Sequence, residues 1–215
     1  MPPSISKARV QSLYKRLHQH FGPQHWWPAE SSWEMMVGAI LTQNTAWTNV
    51  EKAIASLKSS QTLSIYSIAT LPRRRLEQLI RPSGYFRQKA RRLRLLARAV
   101  LKDPCVTKDR ALLLSQHGVG PETADSILLY ASGQPIFVVD AYTRRLGHRL
   151  GWFKTDDYHE VQRFFHDRLP REAALYNEFH ALIVRLAKAH CTSRNPKCRS
   201  CPVQARCAFG KRTRS

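Results

Sequence analysis

Acidic side chains are scarce in this chain: 15 Asp and Glu stand against 35 Lys and Arg, a formal net charge of +20. The imbalance favours a polyanionic partner, with nucleic acid the first candidate. A generic basic surface or a membrane-surface protein is the plain alternative, but no single basic amphipathic helix is set apart to argue for a membrane. Long hydrophobic runs are absent too. No window approaches a membrane span, and the N-terminus lacks the apolar core of a signal peptide, so the expected compartment is the reducing cytosol, or the vicinity of the chromosome. There is no internal repeat, which argues against a solenoid, and no low-complexity segment. Strand-like runs are nearly missing. Only Ile136–Val139 has the propensity, and a lone strand has nothing to pair with, so that run is expected to be extended and buried and the class all-α. At 215 residues there is room for one domain or two small ones, with ample apolar content for a core.

Helical patterns fill the rest. Ser4 to Phe21 reads as a helix with Ile5, Val10, Leu13, Leu17 and Phe21 on one face and Gly22 as its stop. Ser31 or Ser32 caps a second, apolar helix through Met35, Met36, Ala39, Ile40 and Leu41. Thr45 begins a third, and Pro72 a fourth that ends near Pro82-Ser83-Gly84. Phe86–Leu101 is a long basic helix. Its Arg87, Lys89, Arg91, Arg92, Arg94 and Arg98 spread around more than one face and read mostly as solvated. Shorter pieces follow at Arg110–Gln116 and Glu122–Ala131, then Ala141–Leu150, Tyr158–Leu169 and Arg171–Ala189.

The stretch from His117 to Tyr142 organises the chain. It opens on a glycine turn, Gly118-Val119-Gly120, followed by Pro121 where a first helical residue belongs. A helix runs on to a stop at Gly133, and the apolar run Ile136–Val139 then leads straight to Asp140. Glycines beside a helix N-terminus leave backbone N–H groups close to the surface, a place for a phosphate. Taken alone, a Gly-x-Gly before a helix is common, and Asp140 could simply cap the helix that starts at Ala141.

Four cysteines crowd one basic loop after the last long helix: Cys191, Cys198, Cys201 and Cys207, spaced C-x6-C-x2-C-x5-C. Paired disulfides do not suit a reducing compartment. Zinc remains an alternative for four thiolates, though its modules usually carry two short knuckles rather than one. A single loop wrapping a cubane fits an iron–sulfur cluster better. Cys105 stands apart as a simple thiol.

The ordered set of turn, helix, apolar run and acid resembles the helix-hairpin-helix plus Gly-Pro-Asp (HhH-GPD) segment of the endonuclease III superfamily of DNA glycosylases. The cysteine spacing matches the 4Fe-4S loop of endonuclease III without a gap. The resemblance implies a two-domain helix-hairpin-helix glycosylase fold with the active-site cleft between the domains: a six-helix barrel at 31–139, and a discontinuous cluster domain from 1–30 and 140–215 with its loop at 191–207. Sequence pattern alone does not reveal that division. The implied partner is double-stranded DNA containing a damaged base, and a monomer suffices. Gly118, Val119, Gly120 and Thr123 would grip phosphates. The cluster would be structural, holding Arg194, Lys197, Arg199 and Arg206 toward the DNA backbone. Asp140 would be the aspartate of the catalytic cleft.

Bifunctional members carry a lysine two residues after the second glycine, whose amine attacks C1′ and forms a Schiff base. Here Glu122 occupies that place, and a carboxylate cannot make the imine; its plain role is an acid in a helix's first turn. The expectation is therefore a monofunctional glycosylase of base excision repair, with Asp140 stabilising the cationic sugar and orienting water.

Trp26-Trp27-Pro28, Leu41-Thr42-Gln43-Asn44-Thr45, Arg81-Pro82-Ser83-Gly84-Tyr85 and Ala124-Asp125, together with Glu122, look like the 3-methyladenine glycosylases of the endonuclease III class, over about Trp26 to Leu150. The resemblance implies that Trp26, Trp27 and Trp47 sandwich a flipped base and that Gln43 fills the gap left in the duplex. Alkylated purines such as 3-methyladenine and 7-methylguanine are cationic, so their glycosidic bonds are already weak, and an aromatic slot attracts them by roughly 0.5–2 kcal/mol per contact. Two departures are visible: the family's modified pocket lysine aligns with Ala181, and its well-known member lacks the cysteine loop. A pyrimidine-directed glycosylase (uracil, mismatched thymine or an oxidised pyrimidine) and a non-catalytic DNA-binding protein are the alternatives.

Overall fold

Short polar side chains set half of the helix starts. Ser6, Ser31, Ser64, Asp109, Asp140 and Asp157 each accept a backbone N–H from the first turn that follows, satisfying donors that have no partner inside the helix. The resulting computed structural model describes residues 5–212. Its elements are α1 (Lys7–Phe21), α2 (Ser32–Leu41), α3 (Trp47–Ser59), α4 (Ile65–Thr70), α5 (Arg73–Leu79), α6 (Phe86–Lys102), α7 (Arg110–Leu114), α8 (Pro121–Ser126), α9 (Ala141–Leu150), α10 (Tyr158–His166), α11 (Ala173–Ala189) and α12 (Ala208–Arg212). Among the described residues there is no strand, and no helix is long and apolar enough to cross a membrane. Ser4, where the first helix was expected to begin, lies outside the described residues; the helix itself starts at Lys7 behind the Ser6 cap.

Several expectations are corrected. The helix behind Pro72 is the fifth, because the six-residue α4 precedes it, and it ends at Leu79 with a separate 3₁₀ turn at Arg81–Ser83. The third helix begins at Trp47, not Thr45. The piece starting at Arg110 ends at Leu114, and α10 stops at His166. The helix entered through Pro121 gives way to a π turn at Ile127–Ala131, and α12 follows the cysteine loop.

The chain divides into two units, Met1–Trp26 with Pro135–Ser215, and Trp27–Gln134. Those boundaries fall a few residues ahead of the 31–139 division that the resemblance implies. In the contiguous unit α2 is the central helix, with every residue from Trp33 to Leu41 buried, as a helix apolar all round must be. Its buried Glu34 bonds Lys58 at 2.9 Å. Asp125, wholly buried in α8, is held by Arg110 through Nε at 2.6 Å and Nη2 at 3.2 Å.

The discontinuous unit packs α1, α9, α10 and α11 around an aromatic core. Phe137 stacks on Phe165 with centroids 4.1 Å apart and meets Tyr176 and Phe179 edge-on. Phe137 belongs to the expected extended, buried run, which needs no partner strand. Its N–H donates to His166 Nε2 at 3.0 Å and its carbonyl accepts from Gln162 Nε2 at 2.8 Å. Side chains of α10 thus supply what a sheet neighbour would have supplied.

Replacing Arg110 with Met removes the ion pair of the wholly buried Asp125 carboxylate. We expect a loss of about 3–5 kcal/mol in unfolding free energy by denaturant titration; a loss under about 1 kcal/mol would contradict a structural role for this pair.

Candidate functional site

Asp140 is where the extended run meets α9. Its Oδ1 accepts the Thr143 amide at 2.7 Å, so it is the helix cap that the plain reading allowed. The other oxygen is used differently: Oδ2 lies 3.5 Å from His180 Nε2 of α11. The residue is only 9% exposed. Burial pushes such a carboxyl upward, but the His180 ring and the Thr143 amide outweigh it and hold Asp140 below the ordinary carboxylate range. The result is a buried anion at neutral pH, which can oppose positive charge developing beside it.

In the other unit the hairpin turns at Gly118, whose φ of +81° is the left-handed region that favours glycine. Gly120, extended and exposed, is the N-cap of α8, with Pro121 at the first helical position. Val119 is buried beneath the turn. Glu122 sits exposed in the first turn of α8. Thr123, expected to meet phosphate, is instead 8% exposed, and its hydroxyl accepts from Gln43 Nε2 at 3.0 Å. Gln43 Nε2 also donates to the Gly118 carbonyl at 3.1 Å, while its Oε1 accepts from Arg92 Nη1 at 2.6 Å.

Trp27 and Trp47 come together, ring centroids 5.0 Å apart and nearly perpendicular. Gly38 in α2 permits this, since a Cβ there would sit 3.2 Å from the Trp27 ring. Trp26 belongs to the other unit. One aromatic neighbour and one acidic partner of this pair were missed. Tyr130 stands 5.4 Å from Trp27, and Glu51 accepts the Trp47 indole N–H at 2.9 Å. Tyr130 is delivered by the π turn, a register shift that an apolar run does not announce.

The cysteines Cys191, Cys198, Cys201 and Cys207 line one small cavity of about 20 Å³, together with Leu146 and Val203. Among the described residues no three His, Cys, Asp or Glu side chains converge closely enough to hold a single ion. Four thiols around one cavity could hold a metal centre. Arg149 Nη1 donates to Cys191 Sγ at 3.1 Å and the Gly210 amide to Cys207 Sγ at 3.4 Å. Burial raises the Cys207 thiol and drives Cys201 up to about 11, and the neighbouring sulfurs add to both, so both stay protonated near neutral pH unless a cation displaces the protons. Arg194, Lys197 and Arg199 are exposed on this loop, whereas Arg206 bonds Ser12 of α1. Ala181, at the place of the family's pocket lysine, is buried.

The basic residues of α6 are not mostly solvated. Lys89 is 1% exposed, its ammonium bonding the carbonyls of Leu41 at 2.8 Å and Ser83 at 2.7 Å; burial, then Arg92, brings it down to about 8. Arg92 turns in to Gln43. Arg87, Arg91 and Arg98 remain exposed on one face.

Comparison with known proteins follows this geometry. Residues 37–171 match the profile of the HhH-GPD superfamily base excision DNA repair protein. A protein of Methanocaldococcus jannaschii assigned by name to the DNA repair glycosylases is 42% identical over 92% of this chain and 95% of its own length. The H. pylori 3-methyladenine DNA glycosylase bound to 1,N6-ethenoadenine superposes with TM-score 0.77 and 31% identity, over 86% of this chain and 98% of that one. A trapped endonuclease III–DNA covalent intermediate superposes with TM-score 0.86 over 98% of this chain and all of the other; at 24% identity it speaks to the fold alone.

Replacing His180 with Gln removes the imidazole that works against burial at Asp140. The Asp140 carboxyl should then titrate at higher pH, read by carbon-detected NMR of the side chain; an unmoved titration would show that His180 does not hold the carboxylate down.

Proposed function

Since the chain belongs to the HhH-GPD superfamily of base excision DNA repair proteins, as a DNA glycosylase of that class, we propose that it hydrolyses the N-glycosidic bond of alkylated purines and leaves the strand uncut. The observation that carries this reading is a buried carboxylate kept ionised, Asp140, in a chain whose hairpin offers Glu122 where an imine-forming lysine would stand. As the bond to the base breaks, its electron pair leaves with the base and positive charge grows on the sugar. Asp140 opposes that charge and orients the water that adds to C1′. A purine alkylated at N3 or N7 departs as a neutral base, so no strong general acid is required.

The substrate class rests on the aromatic group. Trp27 and Trp47, with Tyr130 beside them, offer electron-rich faces and edges to a cationic base. The H. pylori relative, a 3-methyladenine glycosylase holding an ethenoadenine, supports a purine rather than a pyrimidine. Gln43 would fill the space vacated by the flipped nucleotide, and Gly118, Val119 and Gly120 would lie along the phosphates, with Thr123 acting from beneath. Arg194, Lys197 and Arg199 would add salt-sensitive contacts to the backbone. Cys191, Cys198, Cys201 and Cys207 would hold a 4Fe-4S cluster, whose contribution is to fix the fold of that loop; their shared cavity and their raised thiols fit the group.

Release of free base from duplexes carrying 7-methylguanine, 3-methyladenine, uracil or thymine glycol, with alkali added afterwards, tests the reading. We expect release of the two purines only, strand breaks only after alkali, and a loss of at least about 10³-fold in Asp140→Asn with duplex binding retained. Pyrimidine release would favour the endonuclease III-like alternative, and no release at all the non-catalytic one. A borohydride-stable adduct with damaged DNA would refute the monofunctional assignment.

The purified protein should be brown with broad visible absorption that bleaches when any of the four loop cysteines is changed to Ser. A colourless preparation with one equivalent of zinc would replace the cluster with that ion.

A further inference from the structure

Gln43 has no idle polar atom. Its Oε1 takes a hydrogen from Arg92 Nη1 at 2.6 Å, and its Nε2 donates to the Gly118 carbonyl at 3.1 Å and to Thr123 Oγ1 at 3.0 Å. These partners fix which way round the amide lies, because the opposite orientation would set an NH₂ group against a guanidinium and a carbonyl against two acceptors. Four groups from three separate segments therefore meet: the α2–α3 turn, α6 and the hairpin.

Arg92 also shapes the hairpin. Its side chain occupies the space into which a Cβ on Gly118 would project, so only glycine lets α6 and the turn approach this closely. Arg92 Nε is buried with no hydrogen-bond partner among the described residues. A half-buried guanidinium with one nitrogen unsatisfied is a costly way to fill space; an apolar side chain would pack there without that penalty. What the arginine adds is the charged donor to Gln43. One helical turn earlier, Lys89 bonds the carbonyl of Leu41, the last residue of α2. The same helix thus anchors the root of the turn through Lys89 and its functional side chain through Arg92.

We infer that Arg92 is a positioning residue: it locks the Gln43 amide in one orientation and ties the glutamine turn to the hairpin, so that the two loops meet DNA in a fixed register. Lys89 secures the base of the turn and Arg92 its tip. The inference rests on the reading of Gln43 as the residue that enters the duplex.

That dependence gives the test its shape. A duplex has a gap to fill when a base leaves it, and a single strand does not. Single-turnover excision of 7-methylguanine is measured on both forms for Gln43→Ala, Arg92→Met, Arg92→Lys and the Gln43→Ala/Arg92→Met double variant. Gln43→Ala and Arg92→Met should each slow duplex excision by about 10- to 100-fold, and single-strand excision by less than about threefold. The double variant should be no slower than the slower single one, because both remove the same linkage. Arg92→Lys, which keeps a cationic donor, should recover most of the rate. Independently of turnover, the Gln43 side-chain amide protons should exchange with solvent faster in Arg92→Met, read by nitrogen-15 NMR of the free protein.

Equal losses on duplex and single strand would reduce Arg92 to a merely structural residue, as would multiplying effects in the double variant. A slow Gln43→Ala beside an unaffected Arg92→Met would overturn the inference and leave the reading of Gln43 standing. An unaffected Gln43→Ala would overturn both.

Discussion

A carboxylate that is buried and still charged constrains everything near it. Removing an anion from water is expensive, and the protein must replace the lost hydration with fixed partners. Asp140 finds them in the Thr143 amide at the start of α9 and in His180 of α11, with the N-terminal end of the helix dipole behind it. Capping occupies only one of the two oxygens: Oδ1 takes the Thr143 amide, and Oδ2 faces His180. The backbone that delivers Asp140 faces a related problem. An extended run inside a helical unit has peptide groups with no ladder to join, and Gln162 and His166 satisfy those of Phe137. Phe165 and Tyr176 then clamp the Phe137 ring. The position of one anion is thus set by a helix cap, two side-chain surrogates for a strand, and an aromatic core.

Much of this was legible in the chain, and the reasons are local. The helix Ala141–Leu150 was bounded correctly because both signals are strong: an aspartate cap at one end and a glycine at the other, in the left-handed conformation. The extended, buried nature of Ile136–Val139 followed from the lack of any partner strand. The short α4 escaped because a helix of six residues carries less than two turns of periodicity. Tyr130 escaped because a π turn changes which residues face inward without changing composition. The division at Trp26 and Gln134 could not be read from pattern at all, since a discontinuous domain has no linker composition to betray it.

The cysteine loop shows the same limit from another side. Its spacing pointed to a metal centre, and its compactness to one loop around one group. Spacing does not say whether four sulfurs meet at a point or surround a space. The four cysteines line one cavity, where burial raises the thiols of Cys201 and Cys207. They also show why the neighbouring chain is so basic: Arg149 reaches Cys191 Sγ and the carbonyls of Thr192 and Ser193, and Arg145 the carbonyl of Cys191.

That pattern recurs and changes how the net charge of +20 should be understood. A helical protein with many irregular connections has carbonyls that no strand satisfies, and here cations bond several of them. Lys89 takes those of Leu41 and Ser83, and Arg168 takes those of Ile5 and Phe164. Arg110 is committed to Asp125 and Arg92 to Gln43. Periodicity cannot separate such residues from solvated ones, because a long side chain on the flank of a helix can turn either way. Arg87 and Arg91 went outward; Lys89 and Arg92 of the same helix went inward, and Arg98 donates to the Ala69 carbonyl. The excess of positive charge therefore answers two demands at once, a polyanionic partner outside and a surplus of unpaired carbonyls inside. Only the outward share can contribute to the salt dependence of DNA binding.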